Sequence, residues 1–398
     1  MPNKLNILVI PAWYDVSDPF AGIFFHEYCN ALSKNCNMVL LNITAYPLSA
    51  KKKGIEKVDR HLDRSYSLIN IDHHNRLPGR LLKLFPSIDR NSIINKSLSA
   101  VRNYQSKNQL FDLIHIQSVC NNVTPTVAKS LSESLKIPYV VTEHYTSFKE
   151  AGERIFQPFS SFSKTNKIVN KASARYGVST FACNYYKNIF GSTFELMPNL
   201  IHDSFIDNRL ENKKTNKDLF TFICVGSFQI RKGQSILIEA FSMLESNCKL
   251  ILIGGGPDKQ KMMDLIAKYK LEERVIIYDK LPKEKILDFI DQSDILISAS
   301  ERETFGLTIA EAFFRGKPVI STRSGGPEDL INKSNGLLCE VGSASDLQQK
   351  MTSMMSTFDK YDAKLIQKNA VSSYSEAVIS EAMVANYKKI IGKKTIKN

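Results

Sequence analysis

Two carboxylates eight residues apart, Glu303 and Glu311, bracket the turn Thr304-Phe305-Gly306-Leu307 and lead into an apolar helical run. Eight helical residues rise about 12 Å, so Glu303 belongs at the mouth of a helix and Glu311 two turns along it. The first N–H groups of such a helix, here at Phe305 to Thr308, have no partner within it, and together with the helix dipole they favour an anion. A diphosphate docked on this helix start would have a carboxylate on either side to hydrogen-bond hydroxyls. Taken alone, the pattern also fits a capped helix with a solvated Glu311. A second constellation, Val225-Gly226-Ser227-Phe228-Gln229-Ile230-Arg231-Lys232-Gly233, places Arg231 and Lys232 in a strand-to-helix loop. Two fixed cations there can stabilise charge building on a departing phosphate, although an ordinary basic loop has the same composition. A third, Thr142-Glu143-His144-Tyr145, sets a histidine at the carboxyl end of an apolar strand, the usual place for a ligand contact. His115, inside LIHIQ, fits a packed core position better. Gly22, between the first strand and its helix, permits close backbone approach to a ligand.

Other signals are weaker or missing. Gly254-Gly255-Gly256-Pro257 lacks the third glycine of a dinucleotide fingerprint, and Ser324-Gly325-Gly326-Pro327-Glu328 offers N–H donors to a phosphate. The sequence has no GxxxxGK[ST] loop, no HExxH, and no Asp-x-Asp pair to hold a divalent metal on a diphosphate. The seven cysteines are scattered and none forms CxxC, which argues against a disulfide framework or a zinc site and for a reduced, cytoplasmic protein. Cys224 lies in an apolar run as a small hydrophobe.

These side chains need elements to position them. The 398 residues are 43% hydrophobic and 23% charged, which excludes wholesale disorder and allows two or three domains. No apolar stretch approaches 18 residues, so no membrane-spanning helix is expected, and the start of the chain reads as a buried strand, not a signal peptide. Strands are expected at Leu5–Ile10, Met38–Ile43, Leu113–Gln117, Tyr139–Glu143, Ala174–Val178 and Phe194–Met197. Helices are expected at Phe24–Ser33, Ile88–Tyr104, Val123–Leu135 and Thr180–Phe190. The segment 44–86 is irregular and basic and reads as a long loop. A polar linker at 201–218 precedes a second alternating series, with strands Thr221–Val225, Lys249–Ile253, Val275–Tyr278, Ile295–Ala299 and Pro318–Ser321. Its helices are Ser235–Leu244, Lys259–Lys268, Lys283–Asp291 and Thr308–Phe314, and the tail 346–392 is helical. Apolar strands alternating with helices imply parallel sheets covered on both faces. The fold class is therefore α/β, with two Rossmann-like doubly wound domains facing a central cleft at the carboxyl ends of their strands.

Net charge is +13 and uneven: residues 1–200 hold 24 Lys+Arg against 14 Asp+Glu, and residues 201–398 hold 29 against 26. A basic first half suits phosphates or an anionic membrane surface, and equally a solvated lysine-rich face. Nucleic acid is disfavoured, because no aromatic-interleaved basic motif stands out.

The ordered set Gly22, His144, Met197-Pro198-Asn199, Gly226 to Gly233, Gly254 to Pro257, Glu303-x7-Glu311 and Ser324 to Glu328 resembles the retaining glycosyltransferases of family 4, which share the two-domain GT-B fold. The resemblance implies an acceptor-side domain at 1–200 and a nucleotide-sugar domain at 201–375, with a last helix at about 376–398 packing back on the first domain. It assigns catalytic roles to His144, Lys232 and Glu303. Donor contacts fall to Gly22, Arg231, Glu311 and the backbone of Phe305, Gly306 and Leu307. The family places arginine where Ser227 stands, and Arg231 is taken here as its substitute. Asn199-Leu200-Ile201-His202 replaces the family's Asn-Gly-x-Asp hinge. The implied activity is a metal-independent, cofactor-free hexosyl transfer from a nucleoside-diphosphate sugar to a saccharide acceptor in cell-surface polysaccharide synthesis, and the basic first half suggests a lipid-linked acceptor at the inner membrane face. The rivals are a catalytically silent nucleotide-sugar-binding subunit, a nucleotide-sugar epimerase, a phosphorylase and an NAD-dependent dehydrogenase.

Overall fold

Segments such as Leu5–Pro11 (LNILVIP) and Leu113–Gln117 (LIHIQ) are apolar on both faces, so they are stable only where helices cover both sides. Both are buried along nearly their whole length. The structure is a computed structural model that describes residues 4–15, 22–46, 64–74, 86–121, 123–145, 160–207, 210, 219–245 and 247–395. The chain divides into two units. The first comprises Met1–Val178, Cys183–Met197 and Glu376–Asn398, and the second Ser179–Ala182 and Pro198–Ser375. The division thus falls at 197/198 instead of 200/201, and assigns the turn 179–182 to the second unit.

The first unit contains strands β1 (Leu5–Pro11), β2 (Cys36–Tyr46), β3 (Ser67–His74), β4 (Leu113–Gln117), β5 (Tyr139–Glu143), β6 (Ala174–Gly177) and β7 (Glu195–Leu196). They form one parallel sheet in the order β3-β2-β1-β4-β5-β6-β7. Its helices are α1 (Ile23–Ser33), α2 (Pro86–Gln105), α3 (Val123–Leu135), α4 (Ser160–Lys171) and α5 (Thr180–Phe190), whose first turn is counted with the second unit. Helix α3 starts where the Asn121 side chain accepts from the N–H groups of Val123 and Thr124 at 2.9 and 2.8 Å, an N-terminal cap written in the sequence.

The second unit contains β8 (Phe220–Val225), β9 (Cys248–Ile253), β10 (Val275–Tyr278), β11 (Ile295–Ser298), β12 (Val319–Thr322) and β13 (Gly336–Cys339), paired in parallel in the order β10-β9-β8-β11-β12-β13. Its helices are α6 (Gln234–Ser242), α7 (Lys259–Lys268), α8 (Lys283–Gln292), α9 (Leu307–Phe314), α10 (Pro327–Leu330), α11 (Ala344–Thr357) and α12 (Ala363–Tyr374). The last helix, α13 (Glu376–Thr395), belongs to the first unit, where Lys34 pairs with Glu376 at 2.7 Å. In both sheets the strand order reverses beside the first strand, between β1 and β4 and between β8 and β11. Those two points are where doubly wound sheets open a crevice at their carboxyl edge.

Four elements depart from the sequence expectation. The supposed loop 44–86 contains β3, in register with β2 from Val39 opposite Ser67 to Tyr46 opposite His74. It is an edge strand, half exposed, so its SLINIDHH sequence needs no apolar run. Residues 47–63 and 75–85 lie outside the described residues. Helices α4 and α10 and strand β13 were also not anticipated. Of the expected linker, Ile201 bridges to Ser375 and Asp203–Phe205 form a 3₁₀ turn, while 208–209 and 211–218 lie outside the described residues.

Phe241 is fully buried in the second unit, edge-on to Phe222 with ring centroids 6.4 Å apart and the Arg274 guanidinium 4.7 Å over its face. Phe241→Ala should destabilise the protein by about 3–5 kcal/mol through lost burial and the cavity left behind. Urea unfolding followed by circular dichroism checks this.

Candidate active site

In the second unit the predicted residues gather at the carboxyl ends of β8, β11 and β12. After β8 the chain makes a 3₁₀ turn, Ile230–Lys232, that ends at Gly233 with φ 69°. The Lys232 ammonium lies 2.6 Å from a Glu303 carboxylate oxygen, and both side chains are about four-fifths buried (22% and 19% exposed). The Ser300 hydroxyl donates to the same oxygen at 3.3 Å. Arg231 is exposed, and its guanidinium donates to Gln229 at 3.0 Å, away from this pair.

Backbone exchange fixes the loops. The Glu301 N–H donates to the Arg231 carbonyl at 2.8 Å, the Glu303 N–H to the Ser324 carbonyl at 2.9 Å, and the Gly326 N–H to the Glu303 carbonyl at 2.8 Å. A side chain at Gly326 would run into the Thr304 carbonyl and the Phe305 Cα, so glycine is required for the close crossing.

Gly306 caps α9 with φ 100°, a conformation that favours glycine, and turns the chain so that the helix starts at Leu307. The N–H groups of Leu307 and Thr308 have no acceptor among the described residues, while those of Ile309 and Ala310 bond back to Gly306 at 3.0 and 3.1 Å. Phe305 is 3% exposed and its ring packs against Tyr374. Its side chain is therefore closed to a ligand; the resemblance gave Phe305 a role through its backbone alone. Glu311 is half-buried on α9. The structure thus pairs Lys232 with Glu303, on the loop that leads into α9, and leaves Arg231 outside that pair.

In the first unit, His144 follows β5. Its Nε2 lies 2.8 Å from the Gln117 carboxamide oxygen, and its ring meets Phe24 and Phe25 edge-on at 4.9 and 6.0 Å. Burial against these rings pushes the imidazole down to about 3, so it is neutral at ordinary pH. Its backbone is held by Glu143, which is fully buried. One Glu143 oxygen accepts from the Ser118 hydroxyl at 2.5 Å and from the N–H groups of His144 and Tyr145 at 2.8 and 2.9 Å, and the other from Val119 N–H at 2.6 Å. Burial raises the Glu143 carboxyl, and these four donors oppose that shift. Gly22, with φ 75°, caps α1 directly after residues outside the described set.

Sequence reasoning did not single out Gln117, Glu143, Ser118, Ser300 or Gln234. The first two are readable only in hindsight, as polar residues ending apolar strands. Gln234 is 2% exposed, its amide donates to the Ser227 carbonyl at 3.0 Å, and its carboxamide oxygen has no partner among the described residues.

Two parallel α/β sheets of seven and six strands, each with chemistry-bearing residues at its carboxyl edge, are the architecture of the GT-B fold. Residues 206–370 match the family described as glycosyl transferases group 1. Over 383 residues the chain is 25% identical to the N-acetyl-alpha-D-glucosaminyl L-malate synthase of Bacillus anthracis, covering 88% of this chain and 96% of that protein. Among solved structures, Anabaena Alr3699/HepE in complex with UDP and glucose superposes with a TM-score of 0.71 at 16% identity, over 97% of this chain and all of that one. Sucrose-phosphate synthase from Thermosynechococcus elongatus gives 0.73 at 18%, over 98% and 100%. The chain resembles the family 4 glycosyltransferases, and its matched domain and relatives make it a glycosyltransferase, an enzyme that transfers a sugar. Among the described residues no helix is long and apolar enough to cross a membrane.

His115 is fully buried, and burial pushes its imidazole down from 6.5 to about 3. Between those values the unfolded chain binds a proton that the folded chain excludes, so acidification favours unfolding. Stability should fall by about 1.4 kcal/mol per pH unit from this residue as pH drops below about 6.5. Denaturant titrations at several pH values should show a slope shallower by that amount in His115→Gln, whatever the variant's overall stability.

Proposed function

We propose that this enzyme moves a glycosyl group from a nucleoside-diphosphate sugar to a hydroxyl of a saccharide acceptor, with retention of configuration and without a metal ion. The observation that carries this reading is the Lys232–Glu303 pair, 2.6 Å apart, with Glu303 on the loop that leads into α9, whose first amides have no acceptor among the described residues. A diphosphate offers Lys232 and those amides a stronger anionic partner than one carboxylate does, and it releases Glu303 to accept hydrogen bonds from sugar hydroxyls. Support for the donor class comes from the UDP in the HepE structure. The linkage named in the Bacillus anthracis relative is alpha, as retention from an alpha-linked donor would give.

The bond between the anomeric carbon and the diphosphate oxygen breaks heterolytically, and its electron pair stays on the leaving diphosphate. Lys232 and the N–H groups of Leu307 and Thr308 stabilise the charge that develops there. Arg231, exposed on the same loop, is free to turn from Gln229 toward the phosphates and serve where the family uses an arginine at position 227. The acceptor oxygen bonds to the anomeric carbon on the face that the diphosphate leaves, and its proton passes to the departing phosphate oxygen. In this reading Glu311 contacts the ribose, Gly22 lets backbone approach the donor closely, and neutral His144 contacts the sugar. The excess of Lys+Arg in residues 1–200 supports an acceptor bearing phosphate, such as a lipid-linked saccharide, and docking of that unit on an anionic membrane surface.

Thermal-shift screening against uridine, guanosine and adenosine diphosphate sugars should reveal one stabilising base. With that donor, Lys232→Ala and Glu303→Ala should each lower turnover by orders of magnitude, on the scale of losing one electrostatic contact to the transition state, while melting temperature stays near that of the parent. Turnover unchanged by EDTA and an axial product anomer by NMR are the expected accompaniments. Near-normal turnover in both variants would remove the assigned roles, and stabilisation by a donor without any transfer or hydrolysis would mark a silent binding subunit. Flotation with vesicles containing anionic lipid should show binding that weakens with salt; no flotation at low salt would remove membrane docking.

A further inference from the structure

The ring of His144 is one end of a buried chain of polar groups that crosses the first unit. Gln117, at the end of β4 and 2% exposed, has its carboxamide oxygen 2.8 Å from His144 Nε2 and its amide nitrogen 3.4 Å from His115 Nε2. The Thr142 hydroxyl is 2.8 Å from the same His115 Nε2. On its other side, His115 Nδ1 lies 2.6 Å from the Tyr387 hydroxyl of α13 and 3.2 Å from that of Tyr28 on α1, and the two tyrosine hydroxyls are 2.9 Å apart. The sequence separation is large, from 28 to 387, yet every member lies in one unit.

Direction follows from what each group can do. An amide nitrogen only donates and a carboxamide oxygen only accepts. His115 Nε2 faces the Gln117 amide nitrogen, so it is the acceptor, and the ring proton of His115 sits on Nδ1 and is donated to Tyr387. The Thr142 hydroxyl turns to donate to the same Nε2. At the other end the Gln117 oxygen needs a donor, so His144 carries its proton on Nε2. Its Nδ1 then holds a lone pair, with no partner among the described residues.

We propose that Gln117 is a positioning residue that locks His144 in the Nε2–H tautomer, its own amide being oriented by the buried His115–Tyr387 pair. The helix that ends the chain thereby helps to decide whether His144 presents an acceptor or a donor. The lock is a statement about the free protein. Its consequence, that His144 Nδ1 accepts a hydrogen bond from a hydroxyl of the bound sugar, rests on the glycosyl-transfer reading above. A ring already held in one tautomer and one plane loses less freedom when it makes that bond.

The test is long-range ¹H–¹⁵N correlation on the full chain labelled at its seven histidines, with His144→Asn and His115→Gln used for assignment. The expected result is a pyrrole-type Nε2 and pyridine-type Nδ1 at His144, and the reverse at His115. Gln117→Leu should turn the His144 signals into an average of both tautomers. Gln117→Glu, whose carboxylate still accepts from Nε2–H, should keep the native pattern. A wild-type His144 protonated on Nδ1, or a pattern unmoved by Gln117→Leu, overturns the proposal; if Gln117→Leu fails to fold, the wild type and Gln117→Glu decide. With UDP-glucose as the probe donor, release of UDP should fall about tenfold in kcat for Gln117→Leu, the size of one hydrogen bond, with KM little changed and with recovery in Gln117→Glu. Tautomers as expected together with unchanged turnover would leave the lock standing and remove His144 from the transfer chemistry.

Discussion

The backbone exchange between Glu303 and the turn at 324–326 is the constraint on which the second unit's site depends. Parallel strands end side by side, and the loops that leave them must find partners for their own N–H and C=O groups. Here they find one another: the loop after β11 takes a carbonyl from the loop after β8 and trades two bonds with the loop after β12. This stitching holds the Glu303 backbone, while its side chain is held, among the described residues, only by the Lys232 ammonium at 2.6 Å and the Ser300 hydroxyl at 3.3 Å. Rigid backbone with an exchangeable side-chain partner is what a pre-organised anion site requires.

The first unit solves a related problem with buried side chains. Glu143 gathers three backbone N–H groups and one hydroxyl at the end of β5, and so fixes the backbone on which His144 sits. Gln117 and two phenylalanine rings fix the imidazole. A buried carboxylate with four donors is tolerable because its lone pairs are satisfied, whereas the same group left alone would be costly. Both units therefore set polar groups beside the point where strand order reverses, the second a lysine–carboxylate pair and the first an imidazole held by a carboxamide.

Much of this was open to inspection in the chain itself. The apolar runs located most strands within a residue or two, and helices such as Val123–Leu135 and Lys259–Lys268 coincide with the expected spans. The Glu303–Glu311 spacing and the Arg231-Lys232-Gly233 loop marked candidate ligand contacts, and of these the fold pairs Lys232 with Glu303. Strand β3 escaped because an edge strand, exposed on one side, carries SLINIDHH without an apolar period. Strand β13 and helix α4 escaped because their short or polar sequences bury too little to stand out.

What the amino-acid order settles is local: which segments are strands or helices, where glycine lets the backbone turn, and which charges stand at the strand ends. Pairing across distance was left to the fold. Nothing in the spacing of Lys232 and Glu303, or of Tyr28, His115 and Tyr387, says that they touch, since hydrogen bonds and ion pairs depend on ångström-scale geometry that only the assembled sheets and the returning last helix supply. For the same reason Arg231 and Lys232, neighbours in sequence and alike in charge, come to differ: the 3₁₀ turn sends Lys232 to Glu303 and Arg231 into solvent.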